Sequence, residues 1–312
     1  MDIRRRPNPR LRIAVLVCAA FVVFSMLFTM ATSLAHTNVS RPIIEVSTVP
    51  TAMALDDANS EAIYISPEEQ KAAVSRIAKA KAPLFCAGTK KYAALTFDDG
   101  PSKTTPELIK LLKDEGIPAT FFDLGSNANS NLAGLKAHAA YGPVANHSWD
   151  HSDYTTLSTP DLKAQFNDTQ DVFKTQVGQN NMFMRPPYGA RNPSTEKTTQ
   201  RLGYAEMLWS ADSQDGLAKP WQVIAKNATD GLGPGAVILF HDGPAATLEA
   251  LKRRIIPAIR KSDLTMVTLP ELLVLNPPSD AQLKAGSTGC THAGRVNVSG
   301  VFMGNPDMRY TD

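Results

Sequence analysis

From Lys91 to Leu275, short apolar runs alternate with amphipathic stretches, and this alternation restricts the chain to a parallel α/β fold. Tyr92–Phe97 reads as the first strand. Thr105 and Pro106 open a helix whose apolar face is Leu108, Ile109, Leu111 and Leu112, and Gly116 stops it. Ala119–Leu124 is the second strand, Asn131–Tyr141 a weaker helix, and Pro143–Asn146 the third strand. Ser158-Thr159-Pro160-Asp161 opens a long helix, with Leu162, Phe166, Thr169, Phe173 and Val177 on one face and Gly178 at its end. The remaining strands fall at Met182–Met184, Tyr204–Trp209, Ala236–Phe240 and Thr265–Leu269. Their helices are Pro193–Leu202, Pro220–Asp230, Ala245–Lys261 and Pro270–Leu275. Seven strand–helix pairs fit an open doubly wound sheet or a barrel.

The unusual polar residues gather at one end of these strands. Asp98 and Asp99 follow the first, and His147 and His151 follow the third. Arg185 ends the fourth, Asp212 and Asp215 follow the fifth, and His241 ends the sixth. In a parallel α/β fold the carboxyl ends of the strands converge on one face, where active sites form.

His147-Ser-Trp-Asp-His151 spaces two imidazoles so that both can meet one ion, and an Asp can add a hard third ligand. Taken alone, such a pair also fits a helix surface. Asp98-Asp99 repel unless a cation takes one and an Arg holds the other, which divides them into a metal ligand and a base. A solvated Asp-Asp-Gly-Pro turn is the competing reading. His241 is either a satisfied core histidine or a general acid raised by Asp212 or Asp215. The sequence contains no Gly-x-Ser-x-Gly elbow, phosphate loop or dinucleotide fingerprint.

The chain has 312 residues, 43% of them apolar, enough for one sizeable core plus extensions. A net charge of +2 gives no reason to expect nucleic-acid binding. Five arginines crowd the first dozen residues, an apolar run spans Ile13 to Met30, and small residues follow. That order marks residues 1–35 as a cleaved export signal or an uncleaved membrane anchor, and both readings place the rest outside the cytoplasm. Membrane contact is expected only through this segment. Residues 36–85 read as a tether with one short helix near Pro67–Lys81, and 276–312 as a loop-rich tail. Cys18 lies in the apolar run; Cys86 and Cys290 remain, either as a disulfide or as two free thiols.

These residues resemble the polysaccharide deacetylase family, the NodB-homology or carbohydrate esterase 4 group, over roughly residues 90–275. Five motifs occur in the family's order: Thr96-Phe97-Asp98-Asp99-Gly100, His147-Ser-Trp-Asp-His151, Arg185-Pro-Pro187-Tyr188, Asp212-Ser-Gln-Asp215 and Leu239-Phe-His241. The resemblance implies a distorted (β/α)7 barrel with its catalytic domain over 86–275. It implies Asp98 as base and Asp99, His147 and His151 as metal ligands. Arg185 then orients the base, and the Tyr188 N–H, beside Pro187, holds the oxyanion. Leu239 lines the acetate pocket, and His241 is the acid tuned by an Asp of the fourth motif. Two departures stand out. Gly216 occupies the place of a Trp that walls the acetyl pocket, for which Trp209 or Trp221 can substitute. Pro143-Val-Ala replaces a usual Glu-Ile-Gly.

The expected activity is hydrolysis of N-acetyl groups on an envelope glycan, with peptidoglycan ahead of chitin oligomers, by a monomer. Zinc is the expected cofactor, with cobalt, manganese or nickel able to serve a His₂Asp site. Esterase action on acetylated xylan and a non-catalytic glycan-binding role are the rivals.

Overall fold

The computed structural model describes residues 64–295. The proposed signal or anchor, Cys18, the start of the tether and the end of the tail lie outside the described residues. Among the described residues, no helix is long and apolar enough to cross a membrane.

The central strand is β1 (Tyr92–Gly100), buried along almost its whole length because neighbours cover both its edges and both its faces. Strands β2 (Ala119–Asp123), β3 (Val144–Asn146), β4 (Phe183–Met184) and β5 (Ala205–Glu206) extend the sheet on one side. On the other lie β7 (Val237–His241) and then β6 (Ala211–Asp212). All pairings are parallel, and β8 (Thr265–Met266) pairs with the first residues of β1. Phe97 on β1 stacks between Phe121 and Phe240 of the flanking strands, with centroids 6.0 and 5.4 Å away.

β5 and β6 lie at opposite ends of the strand order, yet only Met207–Ser210 separates them. The sheet therefore curls into a barrel-like wall, and the extended run 205–212 spans its seam. The Met207 N–H donates to the Met184 carbonyl at 2.8 Å, and the Ser210 N–H to the Val237 carbonyl at 2.9 Å. Leu84 inserts beside the seam, with its N–H on the Glu206 carbonyl and its own carbonyl accepting from Leu208. The strand expected at Tyr204–Trp209 is thus β5, paired with β4, and the same extended run continues past Trp209 to pair with β7 as β6. Counted as one, it leaves the seven-stranded distorted barrel that the resemblance implied.

The helices are α1 (Pro67–Ala80), α2 (Thr105–Glu115), α3 (Gly125–Ser130), α4 (Leu132–Tyr141), α5 (Thr159–Val177), α6 (Pro193–Leu202) and α7 (Trp221–Asp230). After β7 come α8 (Ala245–Ala250), α9 (Ile256–Lys261), α10 (Leu269–Leu275) and α11 (Asp280–Ala285). The helix expected at Asn131–Tyr141 is α4, preceded by a further short helix, α3, and the one expected at Ala245–Lys261 is divided. The Asn131 side chain accepts from the Gly134 N–H at 3.0 Å and restarts the chain as α4 after α3. The 245–261 helix contains a π-helical turn at Leu251–Ile255. Pro257 has no N–H to offer the Arg253 carbonyl, so the regular ladder cannot run through this stretch.

The segments read as tether and tail join the same core. A capping box between Ser66 and Glu69 starts α1, whose Val74 and Ile77 are buried against the barrel. Cys86 and Cys290 form a disulfide, with Cα atoms 5.8 Å apart. The Asn276 amide donates to the Gly88 and Lys90 carbonyls, and Leu283 and Ala293 are buried. The folded unit therefore extends beyond residues 86–275 at both ends.

Candidate active site

Asp98 and Asp99 are adjacent in sequence but are presented differently by β1. Asp98 pairs with Phe122 and Gly100 with Asp123, so Asp99 is the extra residue of a bulge. A bulge re-aims the side chain it carries. Asp99 has φ +67°, a conformation costly for a residue with a Cβ, and the Asn127 amide holds its carbonyl at 2.8 Å. Asp98 keeps its register opposite His241 on β7.

Arg185 leaves the end of β4 and is fully buried. Its Nη1 donates to Asp98 Oδ1 at 2.6 Å and to the Thr96 hydroxyl at 2.9 Å. Its Nε and Nη2 donate to the Met207 and Leu208 carbonyls, both at 3.0 Å, and the guanidinium lies 4.1 Å over the Phe122 ring. Burial lowers the Arg185 pKa, and the Asp98 charge opposes that shift. The guanidinium thereby neutralises Asp98 and fixes its orientation.

The Arg185 carbonyl accepts from His147 Nδ1 at 2.8 Å. A carbonyl cannot donate, so Nδ1 carries the proton and Nε2 is the atom presented to the site. His147 Nε2 and His151 Nε2 each lie 3.3 Å from Asp99 Oδ1. The connecting segment is a tight loop, with Ser148 and His151 both at positive φ and the Ser148 hydroxyl accepting the His151 N–H at 2.9 Å. One ligand atom from each of Asp99, His147 and His151 lies within 4.8 Å of the others. Asp99 Oδ1 is buried and has no hydrogen-bond donor. An orphaned carboxylate oxygen facing two imidazole nitrogens fits a divalent cation. Burial opposes the Asp99 charge, but the His147 contact and the surrounding imidazoles hold its carboxyl well below the usual range. Burial pushes His151 down to about 4, against the pull of Asp99, which leaves a neutral imidazole suited to ligation.

His241 Nδ1 lies 2.7 Å from Asp215 Oδ1. Asp215 Oδ2 accepts the His241 N–H at 2.9 Å and the Thr247 hydroxyl at 2.6 Å. Burial disfavours the imidazolium, but the Asp215 charge and hydrogen bond prevail and raise His241 to about 10. Its Nε2 faces Asp99 Oδ2 at 4.0 Å. The partner of His241 is therefore Asp215. Asp212 accepts the Gln214 N–H at 2.7 Å, and its charge acts on Arg185. Thr247, on α8, is a partner that its sequence position gave no means of finding.

Asp98, Asp99, His147, His151 and His241 share one cavity of about 490 Å³, whose wall includes Pro186, Tyr188, Trp209, Gly216 and Leu239. Pro186 rather than Pro187 lines it; Pro187 is buried in the turn whose carbonyl accepts from Ala190. Tyr188 sits at φ +60° with its ring edge-on to His151, centroids 4.4 Å apart. Of the two substitute tryptophans, Trp209 faces the cavity, whereas Trp221 packs under the Arg253 guanidinium. Gly216 lies against the His241 imidazole, where a Cβ would come within 2.9 Å of Cε1.

A family model described as polysaccharide deacetylase matches residues 87–207. A peptidoglycan-N-acetylglucosamine deacetylase of Bacillus cereus is 31% identical over 59% of this chain and 68% of its own length. The chain belongs to the polysaccharide deacetylase family. Another relative is the peptidoglycan-N-acetylglucosamine deacetylase PgdA of Listeria monocytogenes, 35% identical over 60% of this chain. The match spans only 40% of that protein's length. A solved family 4 carbohydrate esterase from Streptomyces lividans, in complex with acetate, superposes with a TM-score of 0.54. It is 35% identical and covers 58% of this chain and 92% of its own.

Proposed function

We propose that this chain is a polysaccharide N-deacetylase that hydrolyses acetamido groups of an envelope glycan, with peptidoglycan or chitin-like N-acetylglucosamine units as substrate. One observation carries the reading. A single cavity holds a carboxylate oriented by a buried arginine, a three-residue cation site and a histidine charged by a buried aspartate. Relatives named for peptidoglycan deacetylation, and the basic, apolar and small residues of 1–35, support action outside the cytoplasm.

Asp99, His147 and His151 would hold the cation, with zinc the first expectation and cobalt, manganese or nickel able to replace it. When bound, it supplies Lewis acidity for the acetyl carbonyl. Asp98, with Oδ1 fixed by Arg185, takes a proton from the attacking water as the carbon–oxygen bond forms. The Tyr188 N–H stabilises the oxyanion, and Leu239 packs against the acetyl methyl. His241 enters as the imidazolium and gives its Nε2 proton to the leaving nitrogen as the carbon–nitrogen bond breaks, yielding acetate and a free amine. Asp215 holds that imidazole by Nδ1 and favours its charge.

The test is acetate release by metal-defined protein from N-acetylglucosamine oligomers and peptidoglycan, with acetylated xylan in parallel. Release from the N-acetylated substrates is expected. Release from xylan alone would replace the amide reading with an ester one. Glycan binding without acetate from any substrate would make the chain a binding module.

A further inference from the structure

A second charged cluster lies beside the cavity, and the chemistry above does not use it. His138 of α4 is fully buried. Its Nδ1 lies 3.0 Å from both carboxylate oxygens of Asp123, at the end of β2. Its Nε2 lies 3.3 Å from Oδ2 of Asp242, immediately after β7. The ring stacks on Phe121 with centroids 3.9 Å apart. Because β2 and β7 flank β1, the imidazole bridges across the end of β1. It crosses at Gly100, where a Cβ would lie 2.7 Å from Asp123 Oδ1 and from His138 Cε1, and 3.0 Å from Asp242 Oδ2. Only glycine fits there.

Asp242 is the hub of the cluster. Its Oδ1 accepts the Ser102 hydroxyl at 3.0 Å and the Thr104 hydroxyl at 3.2 Å. Its Oδ2 accepts the Ser102 N–H at 3.2 Å and the Thr105 hydroxyl. Its own N–H donates to the Asp98 carbonyl at 2.8 Å. On the β2 side, the Leu124 N–H, next to Asp123, donates to the Gly100 carbonyl at 2.9 Å. The segment that begins with Asp98 and Asp99 is therefore tied on both flanks, and both flanks meet at His138. Two carboxylates this close and this buried repel unless a cation sits between them. Burial disfavours the His138 charge, but Asp123 and Asp242 prevail and raise it to about 9; burial also pushes the Asp123 carboxyl up, against the pull of His138.

We infer that Asp123, His138 and Asp242 form an electrostatic clasp that holds residues 98–105 in the shape presenting Asp98 and Asp99 to the cavity. His138 is a positioning residue, since it touches neither the cation site nor the reacting groups. The inference rests on the deacetylase reading of that cavity, but its test does not require turnover.

His138→Gln removes the charge and keeps one amide donor. Hydrogen exchange is measured across the full chain, and zinc affinity by titration. The expected result is faster exchange confined to residues 98–105 and 242–244, with zinc affinity lower by about tenfold or more. Adding Asp123→Asn removes the repulsion the imidazole had neutralised and restores part of that affinity, as charge coupling requires and loss of packing does not. A folded His138→Gln variant with unchanged loop exchange and zinc affinity within about twofold of wild type overturns the clasp. If His138→Gln does not fold, Thr105→Val removes one Asp242 contact without altering charge, and the same two measurements decide. Wild-type protein that binds zinc but releases no acetate refutes the deacetylase reading, while exchange and titration still decide the clasp.

Discussion

The guanidinium of Arg185 donates to Asp98 Oδ1 at 2.6 Å; the arginine is fully buried, and Asp98 is buried at the floor of the cavity. The pair lies at the carboxyl ends of β1 and β4, and the arginine's other nitrogens are taken by the Met207 and Leu208 carbonyls of the seam. Removing one partner leaves a buried, uncompensated charge. Arg185→Met should lower unfolding free energy by roughly 3–5 kcal/mol in urea titrations. An effect below about 1 kcal/mol, the scale of exposed pairs, would show that the charge finds another partner.

Asp98→Asn separates base chemistry from cation binding. The amide keeps the shape but cannot accept a proton, so kcat should fall by roughly 10²–10⁴-fold while zinc stoichiometry stays at wild type. Asp99→Ala and His147→Ala should instead lose zinc. Measured metal content together with kcat sorts the three variants. A wild-type rate in Asp98→Asn would remove Asp98 from the mechanism, and undiminished zinc in the other two would remove the ligand assignment.

Much of this site was legible because parallel topology orders it. Asp98, His147, Arg185, Asp215 and His241 each follow an apolar run, and strands running one way bring such residues to one face. What escaped the sequence depends on contacts between distant segments. The bulge at Asp99 exists only in relation to β2. The passage of the run 205–212 from one sheet edge to the other follows from closure of the barrel, which no local pattern encodes. The choice of Asp215 over Asp212 turns on the two-residue turn that separates them, in which Asp212 accepts the Gln214 N–H. Asp123 left a faint signal, a lone charge ending an apolar strand, but only the fold places His138 against it.

The Asp215–His241 pair should set the alkaline limit of activity. His241 must be protonated to serve as acid, and against burial Asp215, with Asp99 and Asp98 adding, raises its pKa from 6.5 to about 10. Activity that depends on the imidazolium is therefore present at neutral pH and lost as pH rises through the raised value. In Asp215→Asn the neutral amide still reaches Nδ1 but no longer stabilises the charge, so the pKa falls back toward 6.5. The alkaline limb of kcat/KM should move to lower pH, with the variant's deficit larger at pH 9 than at pH 6. A limb that stays in place, or moves upward, would show that another group limits the reaction.

Gly216 is a sharper case than its place in the fourth motif suggested. The absence of a side chain there does more than open the pocket wall, because the glycine seats the His241 ring. An added Cβ would lie 2.9 Å from Cε1 and 3.2 Å from Nδ1, closer than packing allows, so the imidazole must move. The backbone beneath it is fixed by the Asp215 contact to the His241 N–H, so the ring gives way before the chain does. Gly216→Ala should therefore lower kcat by about tenfold or more, on the scale that misplacing a reacting group costs. Zinc content should be unchanged, because Asp99, His147 and His151 lie outside the contact. Steady-state kinetics beside metal analysis checks this. A Gly216→Ala enzyme with wild-type kcat would mean that His241 adjusts without loss, and that its observed seat is not the one catalysis requires.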